Sequence, residues 1–531
     1  MDNCRFIHCP WYWFILCGLA IFVTLQGKPY RLSDLIKQTG VRLTDCSNQF
    51  SDRFVSGITQ IAQSVERDDI FVAFQGKTRH GVEFLDQVQS CAAVLTDNKG
   101  RHIMQSDCLP TRSTPILVTD SPRSDLIVLA KRVYPIDDIR IFGITGTNGK
   151  TSTMHIAAKL LEMMGISCGI STTIGSSASE SDSCLTTPEL CQLYARIFTA
   201  KQARADFFAL EASSHAINRG RLGDIVLEVA AFTNLTPEHM EEHKNMEAYY
   251  QAKKALFLNK RSNSAVINID TPYGIRLFKE TGCSASVISE NTKYGLDHKL
   301  FWQASVRRVG LSFGFTLISP SGYRVESSIS LLGKAFALNT CMAIVILCNL
   351  GIDIERIDSV LRKAGGLKMV LPGRMEVFQT GNSPRVIVDH GHTVDAVETA
   401  LVAAKSITRG RLITIINADG QRDPSKRKHL GQLCGAYSDK LFITDGHSRF
   451  ENPAEIRRMI LDGVEGPRRQ VEQIPSMTQA VLAAIDIARS DDTVLCSGFG
   501  DDPYLDVLGK KIPYSLRDEV RRGLERFAQG T

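Results

Sequence analysis

Short apolar runs alternate with helix-compatible stretches along most of this chain, and the alternation predicts its fold class. In residues 30–136 the runs are short and bounded by turn residues, as at residues 70–74 and 92–95, which predicts a small α/β unit. A second block, residues 137–368, opens with the apolar run of residues 139–144. Because consecutive parallel strands need a crossover between them, this block predicts a mostly parallel sheet.

A third block follows a stretch rich in glycine and proline near residues 365–373. Its strand-like runs, again separated by helical stretches, are residues 386–388, 412–416, 441–444 and 493–496. We therefore expect an α/β protein of three domains. They are a small N-terminal α/β domain at residues 30–136, a central domain with a mostly parallel sheet at residues 137–368, and a C-terminal Rossmann-like α/β domain at residues 369–531.

An uncharged apolar run occupies residues 11–25, within a segment, residues 1–29, that precedes the first domain. As a helix rising about 1.5 Å per residue it would reach about 22 Å, less than the ~30 Å hydrocarbon core of a bilayer. Arg5 ahead of it is typical of a signal peptide, but the bulky residues behind it make a poor cleavage site. A short membrane anchor and an extension upstream of the true start remain, and we favour the extension.

The length and composition exclude several classes of protein. A chain of 531 residues is too long for a single hydrophobic core, because domains average about 150 residues. With 43% hydrophobic and 22% charged residues, the chain is neither disordered nor fibrous. The net charge of +5 is spread along the chain instead of gathered in a basic tail, so nothing calls for a nucleic-acid partner.

The fourteen cysteines include no C-x-x-C pair. This argues against a zinc ribbon or a thioredoxin-type redox site. Since a chain of this size needs no disulfide framework, we interpret them as reduced thiols of a cytoplasmic protein.

Residues 146–151 (GTNGKT) lie between an apolar strand and the helix-compatible residues 152–163. Glycines let backbone N–H groups face phosphate oxygens, Lys150 can reach the β- and γ-phosphates, and Thr151 can ligate Mg²⁺. The usual first glycine of such loops is Ile144 here, and a glycine-lysine turn that binds no phosphate is the alternative. The strand-loop-helix order favours a nucleoside triphosphate site, and hence a central domain like the P-loop ATPases.

This loop, within GITGTNGKT, resembles the phosphate loop of the Mur ligases, the ATP-dependent enzymes that add amino acids to the peptidoglycan precursor. Further motifs, in order over roughly residues 30–525, resemble the MurE branch. They are LTTP at 185–188, EASSHA at 211–216, FTNLT at 232–236, MEAY at 246–249, PGRME at 372–376 and DHGHT at 389–393.

The resemblance implies an ADP-forming amide ligase whose three domains bind the UDP substrate, ATP and the amino acid. The acceptor carboxylate attacks the γ-phosphate of ATP to give an acyl phosphate, which the incoming amine then attacks as phosphate leaves. The implied cofactors are ATP and Mg²⁺. The implied substrates are UDP-N-acetylmuramoyl-L-alanyl-D-glutamate and an amino acid, with meso-diaminopimelate expected ahead of lysine. We expect a cytoplasmic monomer that contacts a membrane only if its apolar N-terminal segment is retained.

The resemblance also implies which residues act. The expected catalytic residues are Lys150, Glu211, His239 and Lys253, and Lys253 falls where the family carries a carbamylated lysine. Residues expected at the nucleotide are Gly146, Thr147, Asn148, Gly149, Lys150, Thr151, Asn268, Asn339, Arg374 and His392. Residues expected at the acceptor or the amino acid are Thr186, Thr187, Ser213, Ser214, Arg221, Arg449 and Asp502. Those expected to hold the metal are Thr151, Glu211, His239 and Lys253.

Taken alone, these residue types have ordinary structural interpretations. Glu211 suits a charge at a strand end, His239 a surface histidine, and Lys253 the solvated face of a helix. The threonines and serines suit helix caps. The order of the motifs favours the functional interpretation of each.

Three stretches depart from the MurE pattern. Residues 61–63 (IAQ) replace D-S-R near the UDP end of the substrate. Residues 446–449 (GHSR) replace D-N-P-R and keep only the arginine that would bind an amino-acid carboxylate. Residues 498–502 (GFGDD) replace G-K-G-H-E, which shortens the acid for the distal ammonium of diaminopimelate to Asp502. Alternative functions are therefore a Mur-like ligase with another acceptor, as in folylpolyglutamate or cyanophycin synthesis, and a nucleotide-binding paralogue without catalysis.

Overall fold

The computed structural model describes residues 27–44, 53–76, 78–106, 114–172, 174, 185–258, 260–291, 293, 299–310, 312–465 and 470–530. The chain forms two compact units. The first comprises residues 1–143 and 165–228, and the second residues 144–164 and 229–531. The apolar run at residues 11–25, on which the extension and anchor hypotheses depend, lies outside the described residues.

The N-terminal part of the first unit is a small sheet flanked by short helices. Its strands are β1 (Tyr30–Arg31), β2 (Arg42–Thr44), β3 (Phe54–Val55), β4 (Gly57–Thr59), β5 (Asp69–Ala73), β6 (Ala93–Asp97) and β7 (Ile116–Thr119). Its helices are α1 (Leu32–Leu35), α2 (Asn98–Ser106) and α3 (Pro122–Val133). Five of these strands form the sheet in the order β2-β7-β6-β5-β4, with β2 antiparallel and the others parallel, and β1 and β3 form a separate antiparallel pair. β5 and β6 are apolar and almost wholly buried, as strands covered on both faces must be.

The middle of the chain alternates strands and helices. Its strands are β8 (Arg140–Thr145), β9 (Cys168–Ser171), β10 (Phe207–Glu211), β11 (Leu227–Phe232), β12 (Ser262–Asn268), β13 (Ser284–Ser289), β14 (Phe301–Val309), β15 (Ser312–Ile318) and β16 (Arg324–Ile329). Its helices are α4 (Lys150–Met163), α5 (Leu190–Gln202), α6 (Ser214–Asn218), α7 (Met240–His243), α8 (Met246–Lys254), α9 (Pro272–Glu280), α10 (Lys334–Asn349) and α11 (Ile354–Ala364).

Within the first unit β9 and β10 pair in parallel. Within the second unit the strands follow in the order β16-β15-β14-β13-β12-β11, parallel from β12 to β14 and antiparallel from β14 to β16. Helix α10 is apolar on nearly all sides and packs on α4 and on this sheet. A helix of that composition is stable only inside a core, so α10 fixes α4 and the loop that precedes it.

The C-terminal part of the second unit is a Rossmann-like layer. Its strands are β17 (Glu376–Phe378), β18 (Arg385–Asp389), β19 (Leu412–Ile416), β20 (Lys440–Ile443), β21 (Val471–Gln473), β22 (Thr493–Ser497), β23 (Tyr504–Val507) and β24 (Lys510–Pro513). Its helices are α12 (Val394–Ile407), α13 (Ser425–Tyr437), α14 (Pro453–Leu461), α15 (Met477–Ile487) and α16 (Leu516–Gly530). The order is β17-β18-β22-β19-β20-β21, parallel except for β17, and β23 and β24 form a separate hairpin.

The expected α/β fold with mostly parallel sheets is confirmed. The expected run at residues 412–416 coincides with β19, and the helix expected from residue 152 begins two residues earlier, at Lys150. The boundaries of the three domains stay a prediction. The cysteines among the described residues are free thiols. Across the same residues, none of the helices is both long and apolar enough to span a membrane.

Candidate active site

The phosphate loop follows β8 and ends where α4 begins. Gly146 and Gly149 have φ angles of 151° and 86°, which side chains other than hydrogen adopt poorly. A Cβ on Gly146 would lie 1.9 Å from Oγ1 of Thr233, and one on Gly149 2.9 Å from Oδ1 of Asn339. Both glycines are therefore required by conformation and by space.

Two lysine amino groups meet on one carbonyl of this loop. Nζ of Lys150 donates to the carbonyls of Gly146 and Thr147 at 3.0 and 2.8 Å. Nζ of Lys253, from α8, donates to the same Gly146 carbonyl at 2.9 Å. Lys253 is fully buried, and burial, with the neighbouring Lys150 charge, holds its pKa well below the usual value. The ammonium form of Lys253 is therefore disfavoured beside the Lys150 cation.

Side chains outside the loop fix its backbone. Asn234, just after β11, accepts the N–H of Asn148 at 3.0 Å and donates to its carbonyl at 3.1 Å. Oγ1 of Thr147 donates to the carbonyl of Thr236 at 3.2 Å and lies 3.3 Å from the hydroxyl of Tyr249. The motifs FTNLT and MEAY contain Asn234 and Tyr249, but no role was predicted for either residue. A polar residue directly after a buried strand was the available signal.

The two asparagines expected near the nucleotide base lie on different elements. Asn268 ends β12, donates to the carbonyl of Thr233 at 3.0 Å and accepts the N–H of Asp270 at 2.9 Å. Asn339 lies on α10, directly beside Gly149 of the loop. Asn339 therefore borders the phosphate loop, whereas Asn268 supports the strand segment next to it.

A residue of the C-terminal part of the second unit, Thr393, also reaches this loop. Nδ2 of Asn148 donates to Oγ1 of Thr393 at 3.1 Å. The half-buried His392 lies next to Thr393, with Nε2 3.6 Å from Oε1 of Glu238. Nζ of Lys426 lies 3.3 Å from the same carboxylate, and both side chains of this pair are buried. No role was predicted for Glu238, whose partner Lys426 is 188 residues away along the chain.

Arg374 and His239 complete the part of the site in the second unit. Burial and the nearby Arg374 charge lower the pKa of His155, on α4, to about 4. His239 precedes α7 with a left-handed φ of 60°. Mainly because of burial, the pKa of His239 is below its usual value, so the imidazole is neutral near pH 7 and can act as a metal ligand. Nδ1 of His239 lies 3.7 Å from Oε1 of Glu241.

Another group of expected residues lies in the first unit. Oγ1 of Thr187 donates to the carbonyl of Glu211 at 2.6 Å and to Oγ of Ser213 at 3.1 Å. Ser213 caps α6 by accepting the N–H of Ala216. Glu211 is 1% exposed and accepts from the hydroxyl of Thr172 on Oε1, while its Oε2 has no hydrogen-bond partner in the described chain. A buried carboxylate oxygen of this kind suits a cation.

The remaining residues expected at the acceptor lie close by in the same unit. Arg221 is buried, donates to the carbonyl of Thr187 at 3.2 Å and lies 2.7 Å from a carboxylate oxygen of Glu189. Ser214 is buried as the first residue of α6, and Thr186 is partly exposed. Arg221 thus braces the LTTP segment, and its role toward a substrate stays a prediction.

The residues expected at the amino acid lie in the C-terminal part of the second unit. Nη2 of Arg449 lies 3.0 Å from Oδ2 of Asp419, and its Nη1 donates to the carbonyl of Gly420 at 2.9 Å. Oδ2 of Asp502 lies 3.1 Å from Nε2 of His447. Asp419 and His447 were both missed as site residues. No group of three or more His, Cys, Asp or Glu side chains in the described chain forms a metal site on its own.

Family models match two long segments. The Mur ligase middle domain matches residues 144–347, and the Mur ligase, glutamate ligase domain matches residues 373–500. The chain belongs to the Mur ligase family. The resemblance inferred from the motifs is thereby confirmed, and with it the class of ATP-dependent, ADP-forming amide ligase.

Curated relatives place the chain near the MurE branch of the Mur ligases. It is 99% identical over 509 residues to UDP-N-acetylmuramyl-tripeptide synthetase of Tropheryma whipplei (strain TW08/27), covering 96% of this chain and 100% of that protein. It is 33% identical to UDP-N-acetylmuramoyl-L-alanyl-D-glutamate–2,6-diaminopimelate ligase of Streptomyces coelicolor, over 95% of this chain and 98% of that protein.

A solved structure of MurF ligase from Thermotoga maritima in complex with ADP has the same fold. Its TM-score is 0.61 at 18% identity, covering 89% of this chain and 98% of that one. The Mur ligase fold thus extends over nearly the whole chain.

Proposed function

We propose that this Mur ligase joins an amino acid, meso-diaminopimelate, to UDP-N-acetylmuramoyl-L-alanyl-D-glutamate in the cytoplasm and so forms the tripeptide precursor of peptidoglycan. The names of its curated relatives support the reaction. The observation that carries the chemistry is the phosphate loop on which Lys150 and the buried Lys253, whose pKa is lowered, meet.

The first step is phosphoryl transfer to a carboxylate. A carboxylate oxygen is a poor leaving group, so the acceptor carboxylate attacks the γ-phosphorus of ATP, the bond to ADP breaks and an acyl phosphate forms. Lys150 is placed to neutralise charge on the β- and γ-phosphates once it exchanges its carbonyl partners for phosphate oxygens. The N–H groups at the N-terminus of α4 bind the same oxygens, whereas those of Thr147 and Asn148 donate to Asn234 and hold the loop in shape.

The donor atoms of the residues assigned to Mg²⁺, each considered within its own unit, support this assignment. Glu211 offers a buried carboxylate oxygen without a hydrogen-bond partner in the described chain, and His239 offers a neutral imidazole. Thr151 offers a hydroxyl at the start of α4. When bound, the ion would neutralise negative charge on the phosphates and the acceptor carboxylate.

Lys253 is suited to carbamylation. A neutral amine attacks CO₂ and loses a proton, giving a carbamate anion that the neighbouring Lys150 charge stabilises and that can help to hold Mg²⁺. Short carboxylic acids should therefore restore activity to the Lys253→Ala variant. If they restore none while Lys253→Ala is folded and inactive, the carbamate is excluded.

The second step joins the amine to the activated acceptor. The amine nitrogen attacks the acyl carbon, phosphate leaves with the electrons of the broken C–O bond, and the amine gives up a proton. Thr186, Thr187, Ser213, Ser214 and Arg221 are assigned to the acceptor, and Arg449 and Asp502 to the amino acid. The hydroxyl network of Thr187 and Ser213 supports the first assignment, since it holds the LTTP segment rigidly against β10.

A phosphate-release assay tests the proposal. Protein is mixed with ATP, Mg²⁺, UDP-N-acetylmuramoyl-L-alanyl-D-glutamate and meso-diaminopimelate, and each component is omitted in turn. We expect release only in the complete mixture, with the tripeptide product identified by mass spectrometry. Turnover only with a folate or polypeptide acceptor would assign the chain to another ligase activity, and hydrolysis independent of any acceptor would overturn the proposal.

A further inference from the structure

Two of the departures from the MurE pattern meet in space. His447, in the GHSR stretch, and Asp502, in the GFGDD stretch, are 55 residues apart in sequence, yet Nε2 of His447 lies 3.1 Å from Oδ2 of Asp502. The His447 side chain is 9% exposed and that of Asp502 36% exposed. At position 447 a histidine thus stands in place of the family's asparagine, and at position 502 an aspartate stands in place of its glutamate.

The hydrogen bonds of His447 fix its tautomer. Nδ1 accepts the backbone N–H of Asp506 at 3.1 Å, so the ring hydrogen is on Nε2. Nε2–H therefore donates to the Asp502 carboxylate. Burial alone would raise the pKa of Asp502, but the nearby His390 and the hydrogen bond from His447 outweigh it and lower the pKa. Asp502 is therefore an anion near pH 7, with one oxygen held by His447.

Packing prevents the His447 ring from swinging away. The ring of Phe499, which is fully buried, stacks on it at 5.2 Å between centroids with 19° between planes. Tyr504 meets it edge-on at 5.8 Å. Phe499 belongs to the same GFGDD stretch as Asp502, so that stretch supplies both the carboxylate and the ring that positions its partner.

The segment that contains Asp506, strand β23 and the residue after it, also positions Arg449. The N–H of Arg449 donates to the carbonyl of Asp506 at 2.9 Å, and the N–H of Leu508 donates to the carbonyl of Arg449 at 2.7 Å. These bonds hold Arg449 at a left-handed φ of 49°. Because Asp506 of β23 binds both His447 and Arg449 through its backbone, and Leu508 just after this strand binds Arg449 as well, this segment sets the spacing between the cation and the anion.

We propose that His447 is a specificity-determining positioning residue that holds the shorter Asp502 carboxylate where the distal ammonium of the amino acid binds. Arg449 receives the distal carboxylate in exchange for part of its bond to Asp419. This rests on the proposed function. The side chain of Asp502 is shorter than the glutamate of the family, and the hydrogen bond from His447 compensates by holding its carboxylate in place. The changes at these two positions therefore depend on one another.

Four proteins test this dependence: the wild type, His447→Asn, Asp502→Glu and the double variant, which carries the family's amide and acid. We expect His447→Asn to raise KM for meso-diaminopimelate about tenfold, because the carboxylate loses a charged hydrogen bond that positions it. Asp502→Glu should raise it similarly, because the longer acid collides with the ring. The double variant should return to within about threefold of the wild type, with kcat and KM for ATP little changed throughout.

Controls separate positioning from general damage. His429→Asn alters an exposed histidine on α13 and should leave every constant unchanged. Thermal unfolding of each variant reports whether it is folded, and a loss confined to KM for the amino acid is not expected from a merely structural role. Single effects that add in the double variant, or an unchanged KM for His447→Asn, would overturn the inference.

The failure of the proposed function gives a different result. If the wild type releases phosphate with no diamino acid, the proposed function fails, and the inference with it. If the wild type prefers lysine, the KM values of the four proteins are compared with lysine as the substrate. Lysine and meso-diaminopimelate both carry a distal ammonium, which Asp502 would bind in either case. The same rescue by the double variant is then expected, and its absence contradicts the role of His447.

Discussion

The two ends of the site in the second unit are built in different ways. The phosphate end, residues 146–151 with Asn234, Tyr249 and Lys253, is formed mainly by backbone groups whose positions depend on two crowded glycines. The amine end, Asp419, His447, Arg449, Phe499 and Asp502, is formed mainly by side chains from separate loops.

This difference explains where the sequence could change. A site of backbone groups tolerates little substitution, because a new side chain fills the space that the ligand or the chain needs. A site of paired side chains can change if both partners change together. The phosphate end keeps the family pattern, whereas two stretches that supply the amine end depart from it.

The largest expected effect is at the phosphate end. Lys150→Ala removes the cation assigned to the transferring phosphate and should lower kcat by at least about a thousandfold. Phosphate release under saturating substrates measures the loss. Lys159→Ala, which alters a partly exposed lysine on the same helix that pairs with Glu162, should keep wild-type activity. Retained activity in Lys150→Ala would refute the assignment of the phosphate loop.

A second substitution tests whether space in the loop is limiting. Gly146→Ala places a methyl group 1.9 Å from Oγ1 of Thr233 and should lower kcat/KM for ATP about a hundredfold. Gly165→Ala is the matched control, because Gly165 also has a positive φ but its Cβ would meet nothing within 4 Å. Equal losses in both variants would show that backbone conformation, and not crowding, is decisive.

The pair of Glu238 and Lys426 joins the segment before α7 to α13 and is buried. Lys426→Met leaves a buried carboxylate without its main partner and should lower the free energy of unfolding by about 3 kcal/mol. Glu238→Gln combined with Lys426→Met should recover most of that loss. Urea unfolding measures each value, and additive losses would show that the two residues are not coupled.

The smallest effect is a dependence of stability on pH. The folded-state pKa of Lys253 lies well below the usual 10.5, so between these values the unfolded chain binds more protons than the folded one. The free energy of unfolding therefore gains up to about 1.4 kcal/mol per pH unit as pH rises through this window. Lys253→Met should remove that contribution, whereas Lys254→Met, at a partly exposed lysine, should keep it. Equal slopes in the two variants would contradict a buried neutral amine.

Local pattern was enough to predict much of the fold. β19 coincides with the apolar run seen in the sequence, and α4 starts within two residues of its expected position, because burial on both faces of a strand and helix-forming composition are local properties. The phosphate loop could be predicted for the same reason, since strand, glycine turn and helix are contiguous.

Contacts between distant segments could not be predicted. Nothing in the spacing of His447 and Asp502, or of Glu238 and Lys426, indicates that each pair meets, because sheet order and loop conformation bring them together. The left-handed conformation of Arg449 was likewise hidden, since it depends on pairing with β23. The residues that were missed are those whose partners lie far along the chain.

The two carbonyl partners of Lys150 bear on how the enzyme completes its cycle. The ammonium of Lys150 can return to the carbonyls of Gly146 and Thr147. The phosphate groups of a bound nucleotide therefore compete with these two carbonyls for the ammonium. A triphosphate, with the greater negative charge, competes better than the diphosphate that replaces it. We therefore expect the return of Lys150 to these two backbone carbonyls to favour the release of ADP.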